Sequence, residues 1–215
     1  MTSELVAINP LDGRYAEAVE PLRRAFSEYA LIRNRVRVEI AWLRALCGAS
    51  RLPEARSLRA GEEEALDALA AEFSVEDALR VKEIERTTRH DVKAVELFLR
   101  ERLADTTMRD LTPFLHFACT SEDINNLAHA LMAKEGRTVL LRAQRRLLAA
   151  LADRAREWAD IALLARTHGQ PASPTTVGKE IGLFRDRLRK ASRTFGRVKI
   201  PGKMNGAVGN YNAHR

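Results

Sequence analysis

The residues of this chain that could do chemistry gather where its helical pattern is interrupted. The clearest interruption is RTHGQPASPTTVGKE at 166–180, which sets His168 between Thr167 and Gly169 and follows it with Gln170. Pro171 and Pro174 exclude helix and stiffen the stretch, while Gly169 lets backbone approach closely. The expectation is a rigid loop, with no β-strand, that presents His168 and Gln170 to a site. A second interruption is RTTRHDVKAVE at 86–96, where Thr88 and Asp91 stand at capping-box spacing and place a helix start at the His90-Asp91 pair. An imidazole there feels the positive end of the helix dipole, which favours the neutral ring and suits hydrogen bonding or proton transfer. A surface histidine beside a capping aspartate would give the same pattern.

Three further stretches carry candidates. In CTSEDINN at 119–126, Thr120 or Ser121 starts a long helix whose free N–H groups and hydroxyls could take an anion. Glu122 and Asp123 oppose a bare anion pocket unless they point elsewhere. NPLDGRY at 9–15 reads as a turn followed by Arg14 and Tyr15, a guanidinium and a phenol that could grip a phosphate. His116, in PFLHFACTSED, reads from its neighbours as a satisfied core histidine. None of the five histidines has zinc-ligand spacing, and GKMNGAVGN at 202–210 is neither a P-loop nor GxGxxG. No metal or cofactor is expected.

Helices must position these residues. Hydrophobic residues make up 46% of the 215 and charged residues 30%, the balance of a globular chain able to bury a core. Val36, Ile40, Leu43 and Cys47 share one helical face, preceded by Phe26, Tyr29 and Ile32, with Pro21 in the first turn of that same helix. Shorter helices are expected over 62–73 and 75–84, and another from 91 with Val92, Val95, Leu99 and Leu103 on one face. Between 121 and 160 there is no proline and one glycine, which implies a helix of about 60 Å and a long-helix bundle. A last helix is expected over 177–198. The architecture is therefore all-α, with a small N-terminal helical domain over 1–111 and part of a long-helix bundle over 112–215.

Composition also limits function. The net charge of +7 is concentrated at 133–197, where fifteen Lys/Arg face six Asp/Glu, a surplus of nine. A helical nucleic-acid-binding protein would use such a surplus, but the arginines fall on helix faces without stacking aromatics. No apolar run can span a bilayer, the first fifteen residues lack a secretory pattern, and two cysteines suit a reducing compartment. A cytoplasmic protein with no membrane or nucleic-acid partner is expected.

Taken in order, NPLDGRY, IERTTRHDVKAVE, FLHFACTSEDINNLAHALM, RTHGQPASPTTVGKE and KMNGAVGNYNAH resemble the fumarase/aspartase superfamily. Within it they resemble the longer bacterial branch that acts on adenylosuccinate. The resemblance implies β-elimination of fumarate from adenylosuccinate, giving AMP, and from the succinyl-carboxamide ribotide of purine synthesis. It makes His168 the general acid for the departing nitrogen. It assigns Arg14 and Tyr15 to the nucleotide phosphate, His90 and Asp91 to the base or ribose, and Thr120 and Ser121 to the succinyl carboxylate. His116, Gln170, Lys203 and Asn205 would line or support the pocket. It further implies a homotetramer whose sites draw on several subunits.

Two departures stand out. Arg89 occupies a position where Asn is expected. The serine-bearing loop GSSxMPxKxNP, which carries the base in that family, does not occur, so the chain is expected to be an N-terminal portion that self-associates and is inactive alone. A different fumarate-releasing lyase and a non-catalytic assembly module are the remaining alternatives; the latter has no use for His168.

Overall fold

The computed structural model describes residues 6–49 and 52–214. The expected lack of a secretory pattern involves residues 1–5, which lie outside the described residues, as do 50, 51 and 215. The chain forms two compact units, one of residues 1–134 with 201–215 and one of 135–200.

In the first unit, α1 (Glu20–Phe26) and α2 (Glu28–Cys47) replace the single helix expected through Phe26. Ser27 divides them: its backbone is extended and its hydroxyl accepts the Ala30 N–H, so it acts as the N-cap of α2. Phe26 is consequently exposed, while Ile32, Val36, Ile40, Leu43 and Cys47 are buried as the spacing requires. Helices α3 (Glu62–Ala71), α4 (Val75–Thr88) and α5 (Asp91–Leu103) follow. Their apolar faces close over α2 in one core with Leu66, Val81, Val95, Phe98 and Leu99. Ser74 and Asp77 form a reciprocal capping box that starts α4. A 3₁₀ turn (Arg109–Phe114) carries the chain back to α2.

Helix α6 (Ser121–Glu157) is 37 residues, about 55 Å long. Its first turns contribute Ile124 to a small second core with Val38 of α2 and Val92 of α5.

In the second unit the expected rigid loop is instead a two-stranded antiparallel hairpin, β1 (Ala162–Thr167) and β2 (Gln170–Thr176). The expectation of a loop without β-strand is thus corrected. Each strand of a two-stranded sheet pairs along one edge only, so Pro171 and Pro174 fit without costing ladder donors. Both turn residues, His168 and Gly169, have positive φ, at 51° and 75°. That is the requirement of a type I′ turn, whose twist matches the strands it joins. Helix α7 (Val177–Arg197) begins at Thr176, whose hydroxyl accepts the Lys179 N–H. A Cβ on Gly178 would lie 2.3 Å from the Ala155 carbonyl oxygen and 2.7 Å from Ala159 Cα, so only glycine lets α7 start against the end of α6. The far end of α7 meets α6 again where Gly196 faces Leu141 and Arg137 donates to the Val198 carbonyl, so the two helices run antiparallel.

Candidate active site

Two charged residues of α2, Arg35 and Glu39, lie one helical turn apart and are both buried. Each holds one of the residues singled out from the sequence. Arg35 pairs with Asp91 and donates from Nε to Asn125 Oδ1 at 2.8 Å, tying α2 to the start of α5 and to α6. Asp91 Oδ1 also accepts the Val92 N–H at 2.9 Å. Burial pushes the Asp91 carboxyl up, but Arg35 and the Val92 N–H outweigh it and hold the group below its usual range. Asp91 is therefore a fixed anion that secures the start of α5.

His90 itself is the N-cap of α5. Its Nδ1 accepts the Lys93 N–H at 3.2 Å, so the expected Thr88–Asp91 box is replaced by an imidazole cap. Thr88 instead exchanges hydrogen bonds with the His90 backbone. An accepting Nδ1 leaves Nε2 as the N–H, and Nε2 stands 3.4 Å from Ser121 Oγ. His90 and Ser121, separated by thirty-one positions, thus face each other across one edge of the unit. The preceding residue, Arg89, is the C-cap of α4 at φ 51° and ψ 32°. Asn adopts that left-handed conformation more readily than Arg, so the demand this position makes through its backbone is one that the expected Asn would meet more easily.

The start of α6 is organised by Asp123, which has no exposed surface. Its carboxylate accepts from the N–H groups of Thr120 at 3.0 Å, Asn205 at 3.1 Å and Gly206 at 3.2 Å, and pairs with Lys203 Nζ at 2.8 Å. The acidic residue that opposed an anion pocket therefore points back into protein and is neutralised there. Burial pushes this carboxyl up; Lys203 and the backbone donors pull it down further, so it remains ionised. Asn126 completes the clamp, accepting the Lys203 N–H at 2.7 Å and donating to the Lys203 carbonyl at 3.0 Å. Gly202 lies against Leu127, where a Cβ would come within 2.3 Å of a methyl carbon. This seats Lys203 and Asn205 beside Thr120 and Ser121.

His116, read from its neighbours as a satisfied core histidine, is partly buried and takes its partner from α2. Its Nδ1 lies 2.6 Å from Glu39 Oε1. Burial lowers the affinity of the ring for a proton, but Glu39 more than reverses this, so the imidazolium form is favoured beyond the ordinary range. Cys119, three residues on, is a plain thiol that burial pushes up to about 12.

His90, Asp91, His116, Thr120, Ser121, Lys203 and Asn205 all belong to the first unit. Arg14 and Tyr15 also lie in it, on the turn closed by the Gly13 N–H to Asn9 carbonyl bond at 3.1 Å. The Arg14 guanidinium lies over the Tyr15 ring at 5.6 Å; among the described residues no hydrogen bond joins this pair to the others. His168 and Gln170 stand exposed at the tip of the hairpin in the second unit. The sequence reading missed Arg35, Glu39 and Asn126. The available signal was a pair of opposite charges one turn apart flanking the apolar stripe of α2.

The chain is a member of the lyase family, described as Lyase, whose pattern matches residues 13–215. Its relatives in that family include adenylosuccinate lyases: it shares 51% identity over 214 residues with that of Escherichia coli K12, covering 99% of this chain. The corresponding figures are 50% and 99% for Vibrio cholerae and 43% and 98% for Legionella pneumophila strain Corby. The chain spans about half the length of these relatives, 46–47%. Among solved structures, a fumarate lyase from Mesorhizobium sp. BNC1 superposes with a TM-score of 0.71 at 22% identity, over 90% of this chain and 44% of that one. A 3-carboxy-cis,cis-muconate lactonizing enzyme from Pseudomonas putida gives 0.67 at 20% identity, over 90% and 43%. The all-α class and the fumarase/aspartase resemblance read from the sequence are borne out, with the hairpin as an addition.

Proposed function

We propose that this chain forms part of an adenylosuccinate lyase, which eliminates fumarate from adenylosuccinate and from the succinyl-carboxamide ribotide. The observation that carries the reading is identity near one half across 99% of the chain with enzymes of that name, spanning every motif discussed above.

In this reaction a proton leaves the carbon beside a carboxylate, negative charge builds on that carboxylate, and the C–N bond breaks as the nitrogen gains a proton. Fixed donors must meet the growing charge. We assign that task to the Thr120–Ser121 end of α6, with Lys203 and Asn205 in support. We assign Arg14 and Tyr15 to the phosphate, and His90 to the base or ribose with Asp91 holding its helix start. His116 and Gln170 line the pocket. His168 is the general acid: an imidazole titrates near neutrality, and a short hairpin turn limits its freedom against the leaving nitrogen. The base belongs to the serine loop of the family, whose pattern does not occur in residues 1–215.

The proposal includes domains at 1–111 and 112–215, a cytoplasmic homotetramer as the working assembly, and no nucleic-acid or membrane partner. Among the described residues no helix is long and apolar enough to cross a membrane. The test is a spectrophotometric assay on a protein carrying this chain at the full length of its relatives. Equimolar fumarate and AMP from adenylosuccinate are expected there, and no turnover from residues 1–215 alone. Absence of AMP, with fumarate released from another succinylated compound, would instead favour a different lyase of the superfamily.

A further inference from the structure

Glu39 has no exposed surface and sits on α2 among the core positions Val36, Ile40 and Leu43. An ionised carboxylate in such a place is costly unless its oxygens are fully used. Both are spent on one residue: Oε1 lies 2.6 Å from His116 Nδ1, and Oε2 accepts the His116 backbone N–H at 3.1 Å. The backbone held in this way is strained. His116 and Ala118 have φ of 60° and 61°, left-handed values that cost non-glycine residues energy and persist where the surroundings impose them. This bend leads directly to Thr120 and Ser121.

The contact also decides which nitrogen of the ring is available. With Glu39 accepting, Nδ1 carries a proton, while Nε2 makes no hydrogen bond among the described residues. Two further charged groups influence the ring, Glu96 favouring its proton and Lys93 opposing it, both from α5. Glu96 is itself paired with Lys93 and Arg100 at 2.9 Å and 2.8 Å, so Glu39 is the carboxylate that acts on His116 directly.

We propose that Glu39 is a positioning residue of the lyase site: it locks the bend before Thr120 and presents His116 to the substrate through Nε2, with Nδ1–H turned toward α2. The role in turnover rests on the function proposed above; the geometry of the pair does not. Two experiments therefore separate them.

The first uses the 215-residue chain without substrate. Long-range nitrogen–proton correlation spectra of its histidines should show a protonated Nδ1 on His116. In Glu39→Gln its titration midpoint should fall measurably, leaving the spectra of His90, His129, His168 and His214 unmoved. An unprotonated Nδ1 in the wild-type chain, which needs no variant to fold, would overturn the proposal, as would an unmoved midpoint. The second uses the full-length protein. Glu39→Gln should lower kcat roughly 10- to 100-fold, as loss of an orienting partner does, and shift the pH–rate profile. It should have little further effect in a His116→Gln background. Additive losses with an unshifted profile would mean that Glu39 merely stabilises the fold. If the full-length protein turns over no adenylosuccinate, the function fails while the spectra still judge the pair.

Discussion

Removing the Asp123 carboxylate tests whether one buried group assembles the Thr120–Lys203–Asn205 cluster. In Asp123→Ala the N–H groups of Thr120, Asn205 and Gly206 and the Lys203 ammonium lose their common acceptor. Hydrogen bonds to a charged acceptor are each worth about 1.5–3 kcal/mol, but they do not add when they share one acceptor. Lys203 remains one-third exposed and regains water, so its loss is discounted to about 1 kcal/mol. The sum expected is about 3 kcal/mol, and about 2 kcal/mol for Asp123→Asn, which keeps one acceptor oxygen. Urea denaturation should show a lower midpoint at unchanged slope, and hydrogen exchange should show the Asn205 and Gly206 amides released before the core amides of α2. A change below about 0.5 kcal/mol with unaltered exchange at 205–206 would refute the reasoning.

Three other outcomes follow from the same structure. Arg56 and the Thr107 hydroxyl hold the buried Glu62 at about 2, against an ordinary 4.5. Its folded value is depressed, so its contribution, about 3 kcal/mol, is present above pH 4.5 and lost as pH falls toward 2. Glu62→Gln should flatten that limb of an acid-unfolding curve. Arg89→Asn should stabilise by about 0.5–1 kcal/mol, because Asn tolerates the left-handed C-cap better; thermal melting would show it. Gly178→Ala should destabilise the second unit by about 1–3 kcal/mol, since its Cβ would strike Ala155 and Ala159, and limited proteolysis near the hairpin would report the loosening.

How far the sequence disclosed this arrangement depends on what each residue's role required. The stripe of α2 was legible because burial of Val36, Ile40, Leu43 and Cys47 is a matter of period alone. Ser27 was not read as a boundary, because an N-cap that follows seven helical residues within a continuous pattern is local chemistry that periodicity overlooks. The hairpin was hidden for a different reason. Both of its faces are largely exposed, so no alternation marks the strands, and two prolines mask their pairing. Among the candidates, His90 and Ser121 could be picked out by their helix starts, but their mutual approach is tertiary. Arg35 and Glu39 show in the sequence as opposite charges one turn apart, but their burial, like the inward turn of Asp123, was not legible, since a sequence does not say which charges are buried and with whom.

In the proposed mechanism His168, on the hairpin turn, gives the leaving nitrogen its proton. The direct measurement is kcat for fumarate release by the full-length protein and its His168→Ala variant, with circular dichroism as the control on folding. The exposed position of His168 predicts an unchanged fold. General-acid catalysis predicts a loss of about 10²–10⁴ in kcat. A variant that folds and turns over within a few-fold of wild type would contradict the claim.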